Sequence, residues 1–203
     1  MKDSDMAIGW TTVGRARVDL ADLLDDLTNE QLATPSLSEG MTVLEVGGLF
    51  ASLCELTPMK LIIGIAKNRG DDDAFLVEKA KEHAAMGVDS ISGILRRNPE
   101  RKAKGVTEAS MVTLAACQTL NISMSLGLER ALDPEVLMMA LDHSALELAE
   151  RLGDGAPRLE ATDSDWVSGD GLLVRGTSEA LLLALNDLVL EDELVGNGVS
   201  LLS

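Results

Sequence analysis

Tyrosine is absent from this 203-residue chain, and only two Phe and two Trp stand among its aliphatic residues. That scarcity removes the stacking platforms on which single-stranded nucleic acids are held. It also means that any core is built from Leu, Ala, Val, Ile and Met. Positive charge is short as well: 17 Lys and Arg face 34 Asp and Glu, a formal charge of −17, which repels a phosphate backbone. The basic residues Arg96, Arg97, Arg101, Lys102 and Lys104 flank Pro99 in a short loop, and no nucleic acid partner is expected. Only two cysteines occur, Cys54 and Cys117, both inside apolar helical segments and in no CxxC pair, so buried reduced thiols are expected. No run of eighteen uncharged apolar residues is found, and MKDSDMAIGW lacks the basic-then-apolar order of a signal peptide. The expectation is a cytoplasmic protein with no membrane partner.

What is present is helix. Hydrophobic residues make up 46% of the chain, enough for one full core and a small appended unit. The stretch from Thr107 to Gly127, TEASMVTLAACQTLNISMSLG, has almost no exposed polar face and is placed at the centre of a bundle. Thr107 is its N-cap, and Met111, Leu114, Ala115, Gln118 and Ile122 follow at three- and four-residue spacing. Gln118 therefore points inward, and a buried amide there either closes a hydrogen-bond network or lines a pocket.

Before that helix, Val13, Ala16, Leu20, Leu23, Leu24 and Leu27 mark a first helix over about 7–27. A capped turn at 27–32 follows, then Thr42 and Glu45 form a capping box on a helix carrying Val43, Val46, Leu49, Phe50 and Leu53 inward. Gly47 and Gly48 weaken it but permit close packing. Pro58 interrupts, MKLIIGIAK continues to Lys67, and further helices are predicted over 73–86 and 89–98, with Asp89 as N-cap. Asp133-Pro134 opens a long helix to Gly153. The Asp71-Asp72-Asp73 run lacks the ligand alternation of a calcium loop. His83 and His143 stand without a second His, Cys or Glu in register and are expected to be packing or surface residues.

At Gly153-Asp154-Gly155 the pattern changes. Arg158–Thr162 and Leu172–Arg175 are extended candidates around DSDWVSGDG, predicting a hairpin with Trp166 buried on one side. A helix over 177–188 packs behind it, and a short helix ended by Gly196 and Gly198 follows.

The string ATDSDWVSGDG, then VRG, SEALLLAL and DELVGNGV, resembles the C-terminal segment of the bacterial mycothiol-dependent maleylpyruvate isomerase family, within the DinB-like group of four-helix metal proteins. Its motif residues here are Asp163, Trp166, Gly169, Gly171, Arg175 and Gly176. LTNEQLATPSLSEGMTVLEV and SLGL near Gly127 resemble N-terminal motifs of the same family, in the same order. The resemblance implies a mainly α fold: a DinB-like antiparallel four-helix bundle over 1–153 and a small C-terminal α+β domain over 154–203.

It also implies a divalent metal, usually zinc, and mycothiol as cofactors, with the metal lowering the thiol pKa. Carried across residue by residue, the family's first His falls on Leu49, the Glu and His of its Glu-x-x-x-His pair on Leu114 and Gln118, and its Asp on Asn121. None is a usual zinc ligand, so no metal is expected here. The Gly-Arg after the Leu-rich helix is replaced by Asn186-Asp187. Two functions stay open: a degenerate member that binds a small molecule in the bundle cavity, or an active thiol-dependent isomerase or transferase with a weak or unusual metal site. A diverged chain with no function beyond folding is a third.

Overall fold

The computed structural model describes residues 2–55, 72–97, 99–100, 106–188 and 193–202, with side chains from residue 10 in the first stretch and from residue 74 in the second. MKLIIGIAK, Pro58, Asn98, Arg101, Lys102 and Lys104 lie outside the described residues, as do the side chains of Asp71-Asp72-Asp73. The fold is mainly helical with a small three-stranded sheet. By packing it divides into two compact units, Met1–Arg130 and Ala131–Ser203.

In the first unit, α1 spans Lys2–Asp25, α2 Asn29–Leu32, α3 Val43–Glu55, α4 Asp72–Ala84, α5 Val88–Arg97 and α6 Glu108–Ser125. Local chemistry sets the starts. Thr28 and Gln31 close a capping box on α2. Thr42 and Glu45 close another ahead of α3: the Thr42 amide donates to Glu45 Oε2 at 2.8 Å and the Glu45 amide to Thr42 Oγ1 at 3.3 Å. Thr107 caps α6 through Ser110 N. Asp89 is not the cap that its sequence position suggested. The helix begins at Val88, directly after Gly87 in a left-handed turn, and Asp89 sits in the first turn where the dipole favours its charge.

Helix α1 packs on α5 and α6, and α3 on α4, α5 and α6. Val13, Leu20, Leu24, Val46, Phe50, Ile91, Val112 and Ala115 are buried to within 1% of complete. Each such Val, Leu, Ile or Phe contributes about 1.5–3 kcal/mol. At Gly48 a side chain would run into Ala80 O and Ala84 N, so this glycine is what lets α3 lie directly on the backbone of α4. Across α1 and α5, Arg96 bridges Asp22 and Asp25. Partial burial opposes the Asp25 charge, but the Ser92 hydroxyl and the Arg96 guanidinium outweigh it and hold the carboxyl below its ordinary pKa.

In the second unit, α7 spans Pro134–Leu152, β1 Arg158–Ala161, β2 Val167–Ser168, β3 Leu173–Gly176 and α8 Ser178–Leu185. Asp133 caps α7 through Glu135 N at 2.8 Å. The expected division after residue 153 and the observed packing division differ by the length of α7, because α7 packs on α8. The predicted hairpin is rearranged. β1 is central: its antiparallel partner is β2, inside the stretch taken for the turn, and β3 lies parallel to β1 on the other side, in the order β2-β1-β3. Val195 then pairs with Arg175, and a 3-10 turn, Val199–Leu201, follows Gly198; the short helix expected ahead of Gly196 falls partly outside the described residues.

Candidate functional site

Leu114, Gln118, Asn121 and Ser125 recur at three- and four-residue intervals on α6 and so share one face. That face is tied at its C-terminal end to the segment leading into α3. Asn121 is completely buried; its Oδ1 accepts from Leu37 N at 2.9 Å and its Nδ2 donates to Ser38 Oγ at 2.9 Å. Ser125 Oγ accepts from the same Leu37 amide at 3.0 Å and donates to Asn121 O at 2.6 Å. Both ends of the Asn121 amide are thus committed to holding residues 37–38. The clamp partners Leu37, Ser38 and Ser125 were not singled out from sequence, although Asn121 and Ser125, two polar residues one turn apart on an apolar helix, carry the signal.

Gln118 behaves differently. It is 8% exposed, and its Oε1 is buried with no hydrogen-bond partner. Of the two outcomes expected for this residue, it does not close a network; its neighbour Asn121 does. Leu114, one turn earlier, and Leu49 on α3 are half-buried. Cys117 is buried, and burial pushes its thiol up to about 12, which leaves no thiolate at neutral pH. Cys54 is half-buried rather than buried.

Among the described residues no group of three or more His, Cys, Asp or Glu is placed to hold a metal ion. Two aliphatic side chains, one amide already spent and one neutral amide do not fit a catalytic zinc, which requires three strong donors and an open position. His143 has a partner that the sequence reading passed over: Glu147, one turn on, lies 3.3 Å from its Nε2. His83 places Nδ1 2.9 Å from Lys79 O and Nε2 3.6 Å from Glu55.

The C-terminal motif residues form a scaffold. Asp163 Oδ1 accepts from both the amide and the hydroxyl of Ser178, at 2.9 and 2.8 Å, fixing the start of α8. Arg175 and Arg158 flank Glu160, at 3.2 and 2.7 Å. Gly169, Gly171 and Gly176 leave no room for a side chain against Pro157 O, Ala156 O and Leu194. Trp166, expected to be largely buried between the hairpin and the bundle or the helix over 177–188, is half-buried, and its indole N–H donates to Asp142 on α7 at 2.8 Å. Trp166→Ala should accordingly cost about 1–2 kcal/mol, less than the 3–5 of a core aromatic. Trp166→Phe in urea melts should recover the packing part only.

Glu179, in the first turn of α8, has its pKa raised by burial and by the nearby Asp163, against the pull of the Leu132 N–H. A carboxyl raised in the folded state binds more protons than in the unfolded chain, so its contribution to stability falls as pH rises through its titration. Glu179→Gln should stabilise slightly at pH 7, by well under 1 kcal/mol because solvent screens this half-exposed group. The gain should vanish below about pH 4, as paired thermal melts at the two pH values would show.

No protein-family model matches the sequence, and no curated protein matches it. Two solved structures match in fold. A crystal structure of the mycothiol-dependent maleylpyruvate isomerase superposes with a TM-score of 0.51 at 14% identity, over 95% of this chain and 92% of that one. A histidine-to-alanine mutant of that enzyme gives a TM-score of 0.53 at the same identity and coverage. The chain therefore has the fold of a mycothiol-dependent maleylpyruvate isomerase. Among the described residues, no helix is long and apolar enough to cross a membrane.

Proposed function

We propose that this chain is a degenerate relative of the mycothiol-dependent maleylpyruvate isomerases that has given up the divalent-metal site and binds a small molecule at Leu49, Leu114 and Gln118, above the Asn121 clamp. The observation that carries this reading is the state of the two amides on α6. Asn121 has both its oxygen and its nitrogen bonded, to the Leu37 amide and the Ser38 hydroxyl, while Gln118 keeps a buried, unpartnered oxygen. A metal needs ligands that repay its lost hydration, and these side chains supply none of the anionic or imidazole donors that do so. A carboxamide among leucines suits a neutral molecule held largely by apolar contact with one polar anchor.

Elemental analysis of protein purified without a histidine tag tests this. Less than about 0.1 equivalent of zinc, nickel or manganese is expected, with a helical spectrum that chelator leaves unchanged. Stoichiometric metal that disappears in Gln118→Ala would return the chain to the metalloenzymes.

A further inference from the structure

Resting on that reading, we infer that the ligand at Gln118 is an uncharged molecule that donates an O–H or N–H hydrogen bond to Oε1 and covers Leu114 and Leu49 with apolar surface. A buried carbonyl oxygen without a donor is a costly exception in a folded protein. The neighbouring hydroxyls on the helix are already used. Thr119 Oγ1 donates to Ala115 O at 3.0 Å, Ser123 Oγ to Thr119 O at 2.8 Å and Ser125 Oγ to Asn121 O at 2.6 Å. The Asn121 amide is held by Leu37 and Ser38. The inferred ligand supplies the donor that these neighbouring groups do not.

Charge narrows the class. Helices α3 and α6, which pack on each other, contain no Lys, Arg or His; their charged residues are Glu45, Glu55 and Glu108. Three cations on the adjoining helices α1 and α5 are engaged by protein acceptors. On α1, Arg17 donates to Pro99 O at 2.7 Å and Arg15 to Thr12 Oγ1 at 3.2 Å, and on α5, Arg96 bridges Asp22 and Asp25. A carboxylate or thiolate brought to Gln118 would face a carbonyl oxygen and leucines with no counter-charge on these two helices, so desolvation disfavours it. An alcohol or amine-free N–H donor of modest size meets no such penalty.

Three ring compounds of similar size separate the possibilities: cyclohexanol, which donates; cyclohexanone, which only accepts; and cyclohexanecarboxylate, which is anionic. Saturation-transfer NMR with the full chain, combined with the shift of the Gln118 side-chain N–H signals, reads their binding. Cyclohexanol should bind about tenfold better than cyclohexanone, one net hydrogen bond's worth, and cyclohexanecarboxylate should not register. Gln118→Leu should erase the alcohol's advantage while keeping apolar binding, and Gln118→Met, of matched length, serves if the leucine variant misfolds. Equal binding of alcohol and ketone, preference for the anion, or an advantage that survives both variants overturns the ligand class while leaving a small-molecule pocket in place. If none of the three shifts the Gln118 signals, this inference fails together with the pocket reading on which it rests.

Discussion

Gly169→Ala should lower the stability of the C-terminal unit by about 3 kcal/mol or more, enough to unfold it at denaturant concentrations that leave the wild type intact. Gly169 has φ +76°, where any Cβ is strained, and that Cβ would be driven into the carbonyl oxygen of Pro157. The backbone on the other side cannot retreat cheaply. Arg158 N donates to Leu172 O at 2.9 Å, and β1 is hydrogen-bonded along both edges. Gly155→Ala is the matched control, since a methyl there meets nothing within 4 Å; it should be near neutral. Urea unfolding followed by fluorescence separates the two cases, with Trp166 reporting the C-terminal unit and Trp10 the helical one. A Gly169→Ala midpoint equal to that of Gly155→Ala would mean that the turn yields, and that its glycine is not a geometric requirement.

The parts of this fold that sequence conveys well are those decided within one helical turn. Thr28, Thr42, Thr107, Asp133 and Thr177 all cap as their spacing predicts, because a hydroxyl or carboxylate reaching an amide two or three residues on needs no distant partner. Strand pairing is a different kind of information. β1 and β3 have short alternating patterns that suit either direction, and the interval between them, 162–172, favours a hairpin reading because parallel partners usually need a longer crossover. Two residues of β2 on the far edge reverse that conclusion. Trp166 departs from expectation for a related reason: residue size predicts burial, but a half-exposed seat with an indole acceptor, Asp142, depends on which helix the loop covers. The candidate site shows the same limit. Register alone put Gln118 and Asn121 on one inward face, yet only the loop at 37–38 distinguishes the amide that is spent from the one whose oxygen is left over.

That distinction makes Asn121 the second residue whose replacement should be severe. Asn121→Ala removes an acceptor for Leu37 N and the donor to Ser38 Oγ, and leaves a void at a position of zero exposure. Ser125 Oγ, 3.0 Å from the Leu37 amide, keeps that one donor satisfied, so the expected loss is about 2–4 kcal/mol rather than the full cost of every group concerned. Asn121→Asp is the sharper experiment because it keeps the shape. Its carboxylate still accepts from Leu37 and can accept from the Ser38 hydroxyl, but when ionised it buries a charge with no cation on α3 or α6. Burial raises such a carboxyl in the folded state above its unfolded value near 4, so the folded state holds the proton longer and stability falls as pH rises through that interval. Asn121→Asp should therefore melt close to the wild type near pH 4 and well below it at pH 7.5, whereas Asn121→Ala should be offset by a similar amount at both. An aspartate variant as stable at pH 7.5 as at pH 4 would reveal a cation or a metal ion at this position, and with it a site of a different character from the neutral one proposed.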